Sequence, residues 1–386
     1  MKDFQFRMPA KIMFGVGASK DLSEIAENFN AKKIFLLTGP HIVKTDIIKT
    51  IKESLDEAKV EYQVFSDIVT DPTIEVVDKT AEVLRESGAD LVVAVGGGSP
   101  MDTAKAICML QTNEGSVKEY LFGGSKTVTN PCMPLICIPT TAGSGSEMTA
   151  ATVITDIENE IKLSVTHEYL VPKIALIDPE LQVGMPQSVT ASTGMDALTH
   201  AVEAYVSLNA NPLSDMYALN AIDIIGKNLR TAVSNGKNIE ARSNMAIASS
   251  IAATAFLNGG LGVVHGIAQA MGGVAHVSHG IANGLILPYA MERNYVGNLE
   301  KFKNIAVALG ENIEGLSLHK AAQKASEAVF ELAKDIRVPL KLKEVGITKE
   351  HFPTIIEGTM NYRLLAINPC KLKEKDIEDI LLKAYK

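Results

Sequence analysis

Leu91-Val92-Val93-Ala94-Val95-Gly96-Gly97-Gly98-Ser99-Pro100-Met101-Asp102-Thr103-Ala104-Lys105 is the stretch that decides the fold class. Five uninterrupted apolar residues read as a strand buried on both faces, the glycines as a tight turn, and the rest as a helix opening at Met101. The same punctuation recurs on either side. Lys33–Thr38 ends in Gly39-Pro40, Glu61–Phe65 is a further extended run, Leu135–Ile138 runs into Pro139-Thr140-Thr141, and Ile174–Ile177 closes at Asp178-Pro179. Thr45–Ala58 and Glu75–Ser87 carry helical spacing with charged outer faces. Continuous apolar strands alternating with helices predict a parallel sheet covered on both sides, an α/β arrangement. After about Met185 the texture becomes long Ala-, Ile- and Leu-rich helical segments: Val189–Leu208, Pro212–Ser234, Ile239–Phe256, Gly262–Val274, Gly280–Glu292, Leu299–Leu309, Leu318–Ile336 and Glu350–Thr359. The expectation is therefore an α/β domain over 1–185 and an all-α domain over 186–386, packed around a cleft.

Composition narrows the function. The 386 residues hold 37 Lys+Arg against 45 Asp+Glu, a net charge of -8, which leaves no basic stripe for a nucleic-acid backbone. The first residues, MKDFQFRMPAKIMF, have no apolar core, so no signal peptide is expected. Four cysteines without a CxxC pair fit reduced thiols in a cytoplasmic protein. One stretch departs from the average: Ser243 to Met291, 49 residues, contains no Asp, Glu, Lys or Arg but three of the eight histidines. Asn258-Gly259-Gly260, Gly272-Gly273 and His276-Val277-Ser278-His279 interrupt it, so helices buried on all sides explain it better than a membrane span.

Two loops and one side-chain cluster carry chemistry. Glycines at 96–98 let backbone approach a ligand closely, and the first N–H groups of the following helix have no internal partner, which suits a diphosphate. The bland alternative is a Ser99 N-cap with Pro100 at N1 and Asp102 completing a capping box. Thr140-Thr141-Ala142-Gly143-Ser144-Gly145-Ser146 is a second small, hydroxyl-rich loop at a strand end, where open parallel sheets bind ligands. Neither loop completes GxGxxG and no GxxxxGK[ST] occurs, which disfavours a standard dinucleotide fingerprint and a P-loop. Asp196 and His200 are four apart on one predicted helix face, close enough to share an ion. Against that stands a Thr193-x-x-Asp196 capping box with an ordinary histidine. His265 and His279 lie in the charge-free stretch, where an unpartnered imidazole is costly. Together the four make a site suited to iron or zinc, with Asp196 as the expected sole anion. His276 is a candidate proton relay or a rim residue. Met195, Met216, Met245 and Met271 are expected in the core.

GGGSPMDTAK (96–105), IPTTAGSGSEMT (138–149), TGMDALTHAVEAY (193–205) and LGVVHGIAQAMGGVAHVSHGIANGLILP (261–288) together resemble the iron-containing (group III) alcohol dehydrogenases, a family that includes lactaldehyde reductases and propanediol dehydrogenases. The resemblance runs down to Asn368-Pro369. The large apolar helices of the second half predict a homodimer or larger homo-oligomer. The resemblance implies the dehydroquinate synthase-like fold, a dinucleotide-binding domain followed by a helical metal-binding domain with the active site between them. It also implies Fe2+, or Zn2+, on Asp196, His200, His265 and His279, and NAD or NADP along Gly39, Asp71, Gly97, Gly98, Ser99, Asp102, Thr140, Thr141, Ser144, Lys162 and Leu181. Thr149 and Phe256 would face a small alcohol or aldehyde. Two positions depart from the family pattern. Gly39 stands where many members carry an Asp that reads the ribose 2′-hydroxyl, which removes repulsion toward a 2′-phosphate. Gln269 stands where many have a histidine, so a relay through His276 has no family precedent. Other readings are a zinc-dependent glycerol dehydrogenase, a dehydroquinate-synthase-like lyase, or a nucleotide-binding protein without catalysis.

Overall fold

The computed structural model describes residues 3–8, 10–57, 59–159 and 161–386. Among them are eight strands: β1 (Lys11–Phe14), β2 (Lys33–Thr38), β3 (Glu61–Phe65), β4 (Leu91–Gly96), β5 (Leu135–Pro139), β6 (Ala151–Asp156), β7 (Ile161–Thr166) and β8 (Ile174–Ile177). The helices of the first half are α1 (Leu22–Asn28), α2 (Asp46–Glu57), α3 (Ile74–Ser87) and α4 (Gly98–Leu110). Those of the second half are α5 (Gln187–Val206), α6 (Pro212–Ser234), α7 (Ile239–Gly259), α8 (Val263–Ala275), α9 (His279–Asn294), α10 (Leu299–Ala308), α11 (Leu318–Asp335), α12 (Phe352–Met360) and α13 (Glu374–Tyr385). Ala58, the last residue of the helix expected over Thr45–Ala58, lies outside the described residues.

Two compact units emerge. One holds the described residues of Pro9–Thr141 together with Ser146–Gln182; the other holds those of Met1–Met8, Ala142–Gly145 and Val183–Lys386. In the first, six strands form a wholly parallel sheet in the order β1-β8-β5-β4-β2-β3, while β6 and β7 make a separate antiparallel pair. The pleat sends alternate residues of one strand to opposite faces. Ile34 and Leu36 of β2 join Ile48, Ile51 and Leu55 of α2, whereas Phe35 and Leu37 join Val77, Leu84 and Ile107 of α3 and α4. That double burial is why these strands read as unbroken apolar runs. The chain leaves β2 for β3 and crosses back to β4, so the order reverses between β2 and β4. The carboxyl ends there, Thr38-Gly39 and Gly96-Gly97, flank the crevice where open sheets bind ligands.

The second unit is helical, with one core running through α5 to α13. The charge-free stretch supplies most of α7, all of α8 and the first part of α9, and Ala252, Ile267, Leu285 and Leu287 in it are all 0% exposed. Among the described residues no single helix is long and apolar enough to cross a membrane, and α7 and α8 are bent by 104° at the glycines between them. Met195, Met245 and Met271 are buried as expected, but Met216 is 57% exposed on the outer face of α6.

Four features depart from expectation. β1 is an edge strand whose residues are mostly exposed, so it lacks the apolar run that marks its neighbours. In the β6–β7 pair only β6 alternates buried residues with more exposed ones, and α13 is highly charged. Finally, α4 begins at Gly98 rather than Met101: Gly97 is its N-cap, no side chain caps it, and Ser99 and Pro100 lie inside its first turn. Ser99 therefore is not a cap and Asp102 completes no capping box.

Candidate functional site

The metal candidates converge. One ligand atom from each of Asp196, His200, His265 and His279 lies within 4.8 Å of all the others. Asp196 and His200 sit mid-helix in α5, which runs unbroken through Thr193; the Thr193 hydroxyl donates to the Val189 carbonyl at 2.8 Å, so no capping box exists there. Asp196 Oδ1 lies 4.0 Å from His200 Nε2 and 3.8 Å from His279 Nε2. His265 comes from the first turn of α8 and His279 opens α9. The imidazole of His200 stacks on the Phe256 ring (4.5 Å) and on His265 (4.8 Å), and His265 meets His279 at 5.2 Å. Asp196, His200 and His265 are buried, whereas the His279 side chain is 40% exposed and leaves the cluster open on its side.

The electrostatics prepare these groups to bind a cation. Burial pulls His200 down to about 3, with Asp196 opposing, so the imidazole is neutral and its lone pair available. Burial would raise the Asp196 carboxyl, yet the facing His200, His279 and His265 and the Asn283 amide hold it below the ordinary aspartate value. Three imidazole nitrogens and one carboxylate oxygen form a set suited to Fe2+ or Zn2+.

Two residues of this cluster were not anticipated. Glu203, one turn beyond His200, places Oε2 2.6 Å from His265 Nδ1, and its Oε1 accepts the Val264 N–H at 2.7 Å. A carboxylate on the far nitrogen fixes the tautomer, leaving Nε2 as the ligating atom. It also adds a second anion to the centre, correcting the expectation that Asp196 is the only one. Asn283 is fully buried and donates its amide toward Asp196, His265 and His279. Both residues occur inside the quoted motifs, but their partners are distant in sequence. His276 has an exposed ring and caps α8 in the left-handed region (φ 52), and it makes none of the ring contacts that join the other three histidines. Nothing here supports it as a proton relay.

In the sheet unit, the expected nucleotide-contacting residues cluster at the carboxyl edge. Gly96, in the left-handed region (φ 153), approaches Pro100 so closely that a Cβ would lie 2.8 Å from the proline Cγ. A Cβ on Gly97 would be 3.3 Å from the Thr141 hydroxyl, so the two loops touch. Gly39 follows β2 directly. Asp71 donates its N–H to Ser99 Oγ (3.3 Å) and pairs with Lys162 (2.7 Å). Thr140 donates its N–H to the Gly96 carbonyl at 2.9 Å, and Leu181 is buried beyond β8. Asp102 turns inward, accepting from Ser146 Oγ (2.6 Å) and the Val153 N–H (3.1 Å). A residue not singled out from sequence organises this region. Lys105 is 1% exposed, and its three ammonium protons find Ser146 Oγ (2.7 Å), Thr149 Oγ1 (2.8 Å) and the Ala151 carbonyl (2.8 Å). The Thr149 hydroxyl, expected beside substrate, is thus engaged by Lys105. Ser144 lies in the segment that belongs with the helical unit, where the flanking glycines admit close neighbours. A Cβ on Gly143 would meet Thr193 at 2.5 Å, and one on Gly145 (φ 59) would meet Ala253 at 2.2 Å.

Comparison with known proteins places the chain in a family. Residues 9–179 match the family model for iron-containing alcohol dehydrogenase, and residues 190–385 match that for the Fe-containing alcohol dehydrogenase family, C-terminal. The chain is 39% identical over 384 residues to the 1,3-propanediol dehydrogenase of Klebsiella pneumoniae, covering 99% of each. It is 36% identical to the NAD-dependent methanol dehydrogenase of Bacillus methanolicus, covering 98% of this chain and 99% of that one. A crystal structure of 1,3-propanediol oxidoreductase superposes over 100% of both chains with a TM-score of 0.96 at 38% identity. The chain belongs to the iron-containing alcohol dehydrogenase family, as an oxidoreductase acting on alcohols.

Proposed function

We propose that this protein is a metal-dependent, NAD(P)-linked alcohol dehydrogenase that interconverts a small primary alcohol or diol and its aldehyde. The observation that carries the reading is the convergence of Asp196, His200, His265 and His279, three imidazoles and one carboxylate, in a chain of this family. A bound Fe2+ or Zn2+ supplies Lewis acidity toward the alcohol oxygen, which makes loss of hydride to the nicotinamide easier. Asp196 and the Glu203–His265 pair hold the donors in place and balance charge. Phe256, stacked on His200, offers an apolar wall to the carbon chain of the substrate. Gly97, Gly98 and the free N–H groups at the start of α4 receive the diphosphate. Gly39 brings no carboxylate to the ribose, so NADP(H) is accepted as well as NAD(H).

In this reading the sheet unit binds the cofactor and the helical unit the metal. The protein works in the cytoplasm as a homodimer or larger homo-oligomer, and the exposed Ile12 and Phe14 on edge strand β1 support self-association. The test is to strip the protein with a chelator and assay reduction of short-chain aldehydes with NADH and NADPH before and after adding Fe2+ or Zn2+. Turnover should vanish and return with metal. Full turnover in metal-free protein sinks the reading.

A further inference from the structure

Asn283 is a polar residue in a place that should reject it. It is 0% exposed, on the face of α9 one turn after His279, and its Oδ1 is buried without a hydrogen-bond partner among the described residues. An orphaned buried carbonyl costs about 1–3 kcal/mol, so the side chain is not there for stability. Its nitrogen shows what it does. Nδ2 lies 2.7 Å from Asp196 Oδ1, 3.1 Å from His279 Nε2 and 3.2 Å from His265 Nε2. Three of the four donor atoms, on α5, α8 and α9, are therefore gathered around one amide.

The protonation pattern is consistent with that arrangement. The His265 Nδ1 proton is taken by Glu203, which leaves Nε2 as a lone pair facing Asn283. An amide nitrogen carries two protons and no lone pair, so it serves two of these three acceptors at a time and repels an N–H pointed inward. A leucine of the same branched shape, though bulkier, would leave no orphaned oxygen but would leave the Asp196 carboxylate free to turn.

We propose that Asn283 is a positioning residue of the metal centre: while no cation is bound, its amide donates to the Asp196 carboxylate and keeps the Nε2 atoms of His265 and His279 gathered about one point, at the expense of its own carbonyl, and it gives up the imidazole lone pairs when a cation enters. This rests on the metal-binding reading above. Groups that orient metal ligands typically change metal affinity 10–100-fold when removed.

The experiment compares wild type with Asn283→Leu and Asn283→Ala. Co2+ and Zn2+ affinity is measured by chelator competition, the Co2+ absorption spectrum is recorded, and the melting temperature of the metal-free proteins is determined. The expected result is a 10–100-fold weaker affinity in both variants, an altered Co2+ spectrum, and a metal-free melting temperature for Asn283→Leu that is not below wild type. Asn283→Ala keeps the test available where leucine is too bulky to fold. Unchanged affinity and spectrum overturn the proposal, as does a metal-free melting temperature that falls in both variants with no change in affinity, the mark of a purely structural residue. A wild type that takes up neither metal overturns the metal reading itself, and this proposal with it.

Discussion

At the scale of single residues, the sequence brings forward the candidate metal ligands but not the groups that hold them. Asp196 and His200 declare themselves by helical spacing, and His265 and His279 by standing in a charge-free stretch. Glu203 lies within the same motif as His200, yet the His265 ring it holds is 62 residues away, and no periodicity links the two. Its role therefore becomes legible only once α5 and α8 are packed together. The structure assigns Glu203 the far nitrogen of a candidate ligand histidine, so Glu203→Gln should be intermediate and Glu203→Ala severe. In the first, the single amide oxygen can accept from His265 Nδ1 or from the Val264 N–H while the amide nitrogen faces the other donor; in the second, both His265 Nδ1 and the Val264 N–H lose their acceptor in a buried place. The expectation is a 10–100-fold loss of metal affinity for Glu203→Ala, read by chelator competition on folded protein. Equal affinity in wild type and Glu203→Ala would show that the carboxylate does not support the ligand.

At the scale of elements, the four inner strands β2, β4, β5 and β8 were legible because burial on both faces leaves no ambiguity of period, the half-buried edge strand β3 by its extended run alone, and the long helices because their apolar spacing is sustained. What failed was local detail at the start of α4. Gly-Gly-Gly-Ser-Pro fits a serine cap by composition, but the helix starts at Gly98, and among the described residues no side chain caps it. Nor could composition reveal that Lys105, three residues past Asp102, points into the protein. The three acceptors of its ammonium come from the loop after β5 and the first residue of β6, so one buried cation fastens α4 to both. Asp102 supports it from 3.6 Å and is itself held by Ser146 and Val153. Burial lowers the lysine from its ordinary value while Asp102 and Glu147 oppose. Lys105→Met removes the cation but keeps the stem, so its cost is electrostatic rather than a cavity. Breaking such a buried network costs about 3 kcal/mol, to be read as a lower urea midpoint at unchanged slope. The sheet itself should persist, with far-ultraviolet circular dichroism at wild-type intensity. A midpoint within error of wild type would mean that the lysine is a bystander.

At the scale of the whole molecule, charge is sorted rather than spread. The interior of the helical unit excludes ionised side chains over 49 residues of sequence, and the carboxylates that enter it, Asp196 and Glu203, come from α5 outside that stretch. Sequence alone exposes the exclusion but not its purpose, because only the packed helices show three imidazoles facing the Asp196 carboxylate. This arrangement makes stability depend on acid. His200 titrates near 6.5 when exposed in the unfolded chain and near 3 when buried, so between those values the unfolded chain holds more protons than the folded one. Stability then rises with pH across that window and is lost on acidification below about 6.5, with a slope of at most about 1.4 kcal/mol per pH unit for this one group. Asp196 acts in the same direction lower down. Its folded value lies below 3.8, so its contribution is present above that value and disappears as pH falls through the folded one. Chelator-treated protein should therefore melt at progressively lower temperature from pH 6.5 down to pH 4. Zn2+ at pH 7 should raise the melting temperature, because an ion that binds only the folded chain stabilises it by mass action. That gain should shrink on acidification as protons compete for the imidazoles. His200→Gln removes the titrating ring while keeping a polar group of similar reach, so the metal-free pH slope should flatten. A slope as steep in His200→Gln as in wild type would place the acid sensitivity elsewhere in the molecule.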